Sequence, residues 1–212
     1  MSFYYWKSEI PKSECEKIIK EFDTSNSVDA TTGHYQGTDA LYPEEIEELK
    51  KKDDWDYEKK KPKSLDIPDD SIRKTKLNWL PINHEYNKIL SGYIEHANKI
   101  MYHYVLSKFT PCQFACYDVG AFYDYHQDAG HNIVEYEKET RKLSMTVQLS
   151  DPNTYEGGNF YFYNGQKDEI EPEIQEQGSI LVFDSRMWHR VAPVTKGVRY
   201  SLVSWIVGPR FQ

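Results

Sequence analysis

The chain has 212 residues, enough for a single domain with a substantial buried core. Its formal net charge of −8 and pI of about 5.4 argue against a general nucleic-acid-binding surface, while leaving a local basic groove open. No apolar run approaches the ~20 residues of a membrane span, and Met-Ser-Phe-Tyr-Tyr-Trp-Lys lacks the basic-then-apolar layout of a signal peptide, so a cytoplasmic protein is expected.

Phe3 to Trp6 reads as a short strand. A helix then opens at Ser13 and runs to about Phe22, with Ser13 as N-cap, Glu16 closing a capping box, and Ile18, Ile19 and Phe22 as its apolar stripe. Residues 24–70 change character: few aliphatics, and charge runs such as Lys50-Lys-Lys-Asp-Asp and Lys59-Lys-Lys-Pro-Lys. Pro43 to Lys52 suggests a short acid-first helix. The rest reads first as a solvated or disordered insertion, with a lid over a substrate as the alternative, because Tyr35, Tyr42, Trp55 and Tyr57 are odd in a pure linker.

Ile72 to Leu77 reads as a strand, followed by a helix from about Asn83 to Leu106. Ile89, Tyr93, Ile94, Ala97, Ile100, Met101 and Tyr104 recur along that helix at helical spacing. His84, His96 and His103 fall on or near it and are assigned no chemistry. From Pro111 the pattern becomes strands: Gln113–Tyr117, Tyr123–Gln127, Lys142–Leu149, Asn159–Tyr163, Ile170–Ile174, Ser179–Phe183, His189–Ala192 and Arg199–Val207. Asp151-Pro, Glu156-Gly-Gly, Asn164-Gly and Gln177-Gly punctuate them, and Asn164-Gly165 is a strong hairpin signal. The class is mainly β (α+β), and short strands at this spacing fit a jelly roll with helices packed outside. The expected organisation is one domain over 1–212, with a supporting region 1–110 and a jelly-roll core 111–208. Cys15, Cys112 and Cys116 make no disulfide framework or zinc pattern. Cys112 and Cys116, four apart on a strand, are roughly 13 Å from each other, too far to bridge.

Chemistry concentrates in the strand-rich half. His126 and Asp128 are two residues apart, so on a strand they would share one face and one metal. With His189 from another strand they form a two-histidine, one-carboxylate set, the kind that holds non-haem Fe(II) while leaving positions open for substrate and O₂. Arg199 follows where it could hold a carboxylate co-substrate beside the metal, its planar fork matching a carboxylate better than a lysine would. Arg199, Ser201, Val203 and Trp205 alternate with their neighbours and so share a strand face.

Three stretches carry a family resemblance. These are Tyr117-Asp-Val-Gly-Ala-Phe-Tyr123-Asp-Tyr-His126-Gln-Asp128, Leu143-Ser-Met-Thr-Val-Gln-Leu-Ser-Asp-Pro-Asn-Thr-Tyr-Glu-Gly157-Gly158, and His189-Arg-Val-Ala-Pro-Val-Thr-Lys-Gly-Val-Arg199-Tyr-Ser201-Leu-Val-Ser-Trp205. Together they resemble the Fe(II)/2-oxoglutarate dioxygenases, within them the prolyl 4-hydroxylase-like branch, and most nearly the PKHD-type hydroxylases. The resemblance covers roughly residues 72–208 and implies a double-stranded β-helix.

The resemblance also implies roles. His126, Asp128 and His189 would ligate iron. Arg199 would pair with the distal carboxylate of 2-oxoglutarate, helped by the hydroxyls of Ser201 and Tyr117, with Tyr123 and Trp205 as further residues of the co-substrate pocket. The implied reaction couples decarboxylation of 2-oxoglutarate by O₂ to hydroxylation of a C–H bond, releasing succinate and CO₂, and admits ascorbate as a reductant. Asp128 favours hydroxylation over halogenation, whose enzymes replace that carboxylate by a small residue. Trp205 stands where the nucleic-acid demethylases carry a second arginine, so no nucleic-acid partner is expected. The leading substrate is a prolyl residue in a peptide or protein. A free amino acid or other small molecule is the alternative, and a non-catalytic jelly-roll binding protein a third reading.

Overall fold

The computed structural model describes residues 2–22, 28–29, 73–129, 139–163 and 169–211. Most of the polar 24–70 segment, with its expected helix and lid aromatics, and the Asn164-Gly165 turn lie outside these residues. In chain order the elements are β1 (Phe3–Trp6), α1 (Lys12–Phe22), β2 (Val28–Asp29), β3 (Arg73–Lys74), β4 (Lys76–Trp79), α2 (Glu85–Ala97), a π-helical turn (Asn98–Tyr102), β5 (Lys108–Phe109), β6 (Gln113–Tyr117) and β7 (Phe122–His126). There follow β8 (Glu139–Gln148), β9 (Glu156–Gly157), β10 (Phe160–Tyr163), β11 (Glu169–Ile170), β12 (Ile180–Asp184), β13 (His189–Val191), β14 (Val194–Lys196) and β15 (Arg199–Pro209).

The larger sheet runs β1-β12-β8-β15-β6-β4-β2, with β5 added to β15, and the smaller runs β11-β10-β13-β7-β3. Among the described residues, every pairing between these strands is antiparallel, giving the mainly β, jelly-roll architecture expected from the sequence. Two apolar layers follow from strand alternation. One face of the larger sheet turns Phe114, Cys116, Leu143, Met145, Val147, Ile180, Val182 and Leu202 toward Cys15, Ile18 and Phe22 of α1 and Leu90 and Ile94 of α2. The other turns Ala115, Tyr117, Leu181 and Phe183 toward Phe160, Phe162 and Val191 of the smaller sheet. Each fully buried side chain such as Leu90 or Ile94 contributes roughly 1.5–3 kcal/mol by leaving water.

Several expectations need correction. α1 begins at Lys12, so Ser13 lies inside the first turn; the Pro11 carbonyl accepts from Cys15 N–H at 3.1 Å and opens the helix instead. The strand expected at 72–77 is two strands, β3 and β4, which belong to different sheets and change over at Thr75. The strand expected at 170–174 is paired only over Glu169–Ile170. Val28 and Asp29, read as part of the insertion, pair with Leu77 and Lys76.

The long helix ends at Tyr102, because His103 turns left-handed at φ 56. Its buried stripe is Tyr86, Leu90, Ile94 and Ala97, whereas Ile89, Ile100 and Met101 are exposed. Ile89 is one residue, about 100° of helix, away from the buried Leu90 line. The π-helical turn then shifts the phase before Ile100. His84 caps α2, its Nδ1 accepting from Tyr86 N–H at 3.3 Å. Cys15, Cys112 and Cys116 are buried thiols. Among the described residues, no helix is long and apolar enough to cross a membrane.

Candidate metal centre

β7 and β13 pair antiparallel and set His126 directly opposite His189. Asp128 reaches the same point by another route. β7 ends at His126, and Asp128 sits in the bend beyond it, so the shared-face argument does not place it. That bend is held by Ala129 N–H donating to Ser185 C=O at 2.8 Å. One ligand atom from each of His126, Asp128 and His189 then lies within 4.8 Å of the others. Asp128 Oδ1 is 3.7 Å from His126 Nε2 and Oδ2 is 3.5 Å from His189 Nε2.

Both rings are locked in one orientation. His126 Nδ1–H donates to Asp124 C=O at 2.8 Å and His189 Nδ1–H to Met187 C=O at 2.9 Å, which turns each Nε2 lone pair inward. Aromatic rings wedge them: Tyr123 stacks on His126 at 3.5 Å between centroids, and Phe160 and Phe183 pack on His189 at 5.4 and 4.7 Å. Burial, then the adjacent His189, pushes the His126 pKa down to about 3, so its imidazole stays neutral at ordinary pH. Burial alone would raise Asp128, but the two imidazoles, Arg141 and Ser144 outweigh it and hold the carboxyl at about 2. Two imidazoles and one carboxylate are a donor set that fits a divalent first-row metal.

The inner face of the larger sheet forms the back wall. There β8 offers Ser144, Thr146 and Gln148, and β15 offers Arg199, Ser201 and Trp205, all of them buried. Polar residues at alternate positions of two buried strands need partners. Ser144 Oγ–H donates to Asp128 Oδ2 at 2.6 Å. Gln148 donates to the Tyr155 hydroxyl at 2.8 Å. Arg199 is only 3% exposed, its Nη1 is buried with no hydrogen-bond partner, and its guanidinium lies 5.4 Å from the Tyr117 ring centroid. A buried guanidinium with an unmet donor calls for an anion, and a carboxylate has the matching shape. Ser201, two residues on, sits opposite Ala115 and Gln148.

Trp205 connects to the cluster through Arg141. The Arg141 guanidinium stacks 3.9 Å above its ring and reaches within 3.9 Å of Asp128 Oδ1, while Trp205 Nε1 is buried without a partner. Tyr123 likewise stands beside His126, capped by Arg73 at 4.4 Å. Burial, partly offset by Arg73, pushes its hydroxyl up to about 12. Sequence reading missed Ser144, Ser185, Arg141, Arg73, Gln148 and Tyr155. For Ser144 and Gln148 the signal was there: they are the polar half of the alternation Leu143, Met145, Val147.

Residues 112–207 match the 2OG-Fe(II) oxygenase superfamily. The chain is also similar to PKHD-type hydroxylases. It is 32% identical over 98 residues to one from Synechococcus sp. (strain JA-2-3B'a(2-13)), covering 43% of this chain and 40% of that protein. It is 37% identical over 93 residues to one from Gloeothece citriformis, covering 44% and 40%. The matched stretches thus span less than half the length of these relatives. Among solved structures, a Pseudomonas putida prolyl-4-hydroxylase superposes with a TM-score of 0.64 at 17% identity, over 99% of this chain and 93% of that one. A Trichoplax adhaerens prolyl hydroxylase, in complex with a hypoxia inducible factor peptide fragment, gives 0.65 at 15% identity, over 96% and 82%. At such identities these superpositions show the fold alone.

Proposed function

We propose that this chain is an Fe(II)- and 2-oxoglutarate-dependent hydroxylase acting on a prolyl residue in a peptide or protein. The carrying observation is the pairing of the His126–Asp128–His189 cluster with a buried, unsatisfied arginine on the adjoining wall. In this reading His126 Nε2, Asp128 and His189 Nε2 hold the metal. Fe(II) bound there would supply the redox chemistry that joins oxidative decarboxylation of 2-oxoglutarate by O₂ to C–H hydroxylation, with succinate and CO₂ released.

The protein's own part is binding, orientation and exclusion. Arg199 takes the distal carboxylate through charge-assisted hydrogen bonds, and the Tyr117 and Ser201 hydroxyls serve the same group. Phe160, Phe162 and Phe183 pack behind the histidines and keep that side of the site dry. Toward solvent, Trp79 is 48% exposed and lies 6.3 Å from Trp205, which Arg141 covers. That aromatic rim suits the apolar ring of a proline, and one structural neighbour is a prolyl hydroxylase in complex with a peptide fragment.

The test is a screen of proline-containing peptides with Fe(II), 2-oxoglutarate and ascorbate. Hydroxyproline formed in step with succinate is the expected result. Steady 2-oxoglutarate consumption stimulated only by a free amino acid or metabolite would move the substrate to a small molecule. No consumption under any condition, with metal bound, would remove the enzymatic reading.

A further inference from the structure

We propose that Ser144, braced by Ser185, is the positioning residue for the Asp128 carboxylate and fixes which of its oxygens is offered to the metal. The inference rests on the metal-binding reading above and deepens it.

The three candidate ligands are not held alike. Both histidines donate Nδ1–H to main-chain carbonyls, those of Asp124 and Met187, which no side-chain substitution removes. Asp128 lies in a bend, and its carboxylate is oriented by a side chain: Ser144 Oγ, 2.6 Å from Oδ2. Ser144 in turn lies 2.9 Å from Ser185 Oγ, and both serines are 0% exposed.

The direction of this chain follows from donor counting. An ionised carboxylate only accepts, so Ser144 spends its one proton on Asp128. The hydrogen bond between the serines must then be donated by Ser185. A hydroxyl that accepts one hydrogen bond donates a stronger one, so Ser185 tightens the contact on Asp128. The same residue holds the bend itself, since its carbonyl accepts from Ala129 N–H at 2.8 Å. Side chain and main chain of Ser185 therefore fix the position and the rotation of one carboxylate.

Rotation matters because the two oxygens are not equivalent. Oδ2 accepts from Ser144 and lies 3.5 Å from His189 Nε2, whereas Oδ1 lies 3.7 Å from His126 Nε2 and 3.9 Å from the Arg141 guanidinium, beyond hydrogen-bond distance of either. Oδ1 thus keeps both of its lone pairs for a metal, while Ser144 takes one of the two on Oδ2. A hydroxyl on the inner face of β8 otherwise carries a cost, because an apolar residue would pack there without any desolvation penalty.

The experiment titrates the apo-protein with Co(II) alone and reads its visible ligand-field bands, for wild type, S144A, S144T and S185A. Apo-protein melting is recorded in parallel. Loss of an outer hydrogen bond of this kind costs about 10–100-fold in metal affinity, which is the weakening expected for S144A, with altered bands. S144T keeps the hydroxyl and should restore both. S185A should weaken Co(II) binding in the same direction by less, with the bands of wild type.

S144A that binds Co(II) as tightly as wild type with the same bands overturns the proposal and leaves the metal-site reading standing. Folded wild type that binds no Co(II) overturns both. If S144A does not fold, S185A decides: weakened Co(II) binding at unchanged apo melting supports the proposal, and unchanged affinity overturns it.

Discussion

Arg199 and Tyr117 face each other across the β6–β15 ladder, and the guanidinium lies 5.4 Å from the tyrosine ring centroid. The strand pairing sets the distance, so the ring walls one side of the guanidinium and leaves Nη1 buried and unmet. Arg199→Lys keeps the charge but loses the fork. Hydrogen bonds to charged groups are each worth roughly 1.5–3 kcal/mol, so losing one should weaken 2-oxoglutarate binding by about tenfold or more. Calorimetric titration of 2-oxoglutarate into the metal-loaded protein reads this directly, and unchanged affinity would remove Arg199 from that role.

Gly158 makes the approach to that arginine possible. It has φ +64, and a Cβ there would stand 2.9 Å from both Arg199 Cδ and Val194 Cγ2. A left-handed non-glycine residue costs about 1–2 kcal/mol before any contact is counted. Gly158→Ala should therefore lower the unfolding free energy read from urea denaturation by at least that much and weaken 2-oxoglutarate binding as Arg199 is displaced. A variant with the stability and co-substrate affinity of wild type would show that the arginine relaxes freely.

The strand-rich half was legible in the sequence because its alternation is strong: β6 and β15 begin where the pattern says, and Arg199, Ser201 and Trp205 share the face expected of them. Asp128 was found by residue type, yet for a reason the fold does not use, since its placement depends on Ser144 and Ser185 from β8 and the end of β12. Such contacts are long-range, and nothing local in the sequence announces them. The helical half was less legible. The π-helical turn and the left-handed His103 break the phase of an apolar stripe that single-period reading extends too far.

His189 is buried, with a main-chain acceptor on one ring nitrogen and the cluster on the other. His189→Ala should abolish iron-dependent consumption of 2-oxoglutarate, because two remaining ligands make a poor site for Fe(II). Appreciable coupled turnover in that variant would remove His189 as a ligand.

Asp184 gives a pH dependence independent of the metal. Burial alone would raise its carboxyl, but hydrogen bonds from Arg186 and Tyr104 outweigh burial and hold it below the ordinary range. The Asp184 side chain is 15% exposed but that of Arg186 is 50% exposed, so water screens the pair in part and the stabilisation is modest. A carboxyl depressed in the folded state stabilises above its unfolded pKa of about 3.9 and loses that stability as pH falls through the folded value. Melting temperature should thus drop more steeply in acid for wild type than for Asp184→Asn, which starts lower near neutrality. Parallel curves would show that Asp184 contributes no acid-sensitive stability.

The most direct measurement is anaerobic addition of Fe(II), then 2-oxoglutarate, to the apo-protein, following the visible iron-to-keto-acid charge-transfer band. Asp128→Ala and Arg199→Ala are run alongside. The oxygenase reading predicts a saturable band at one iron per chain, lost in the first variant and weakened in the second. Folded protein that develops no band would contradict it and make this jelly roll a binding module.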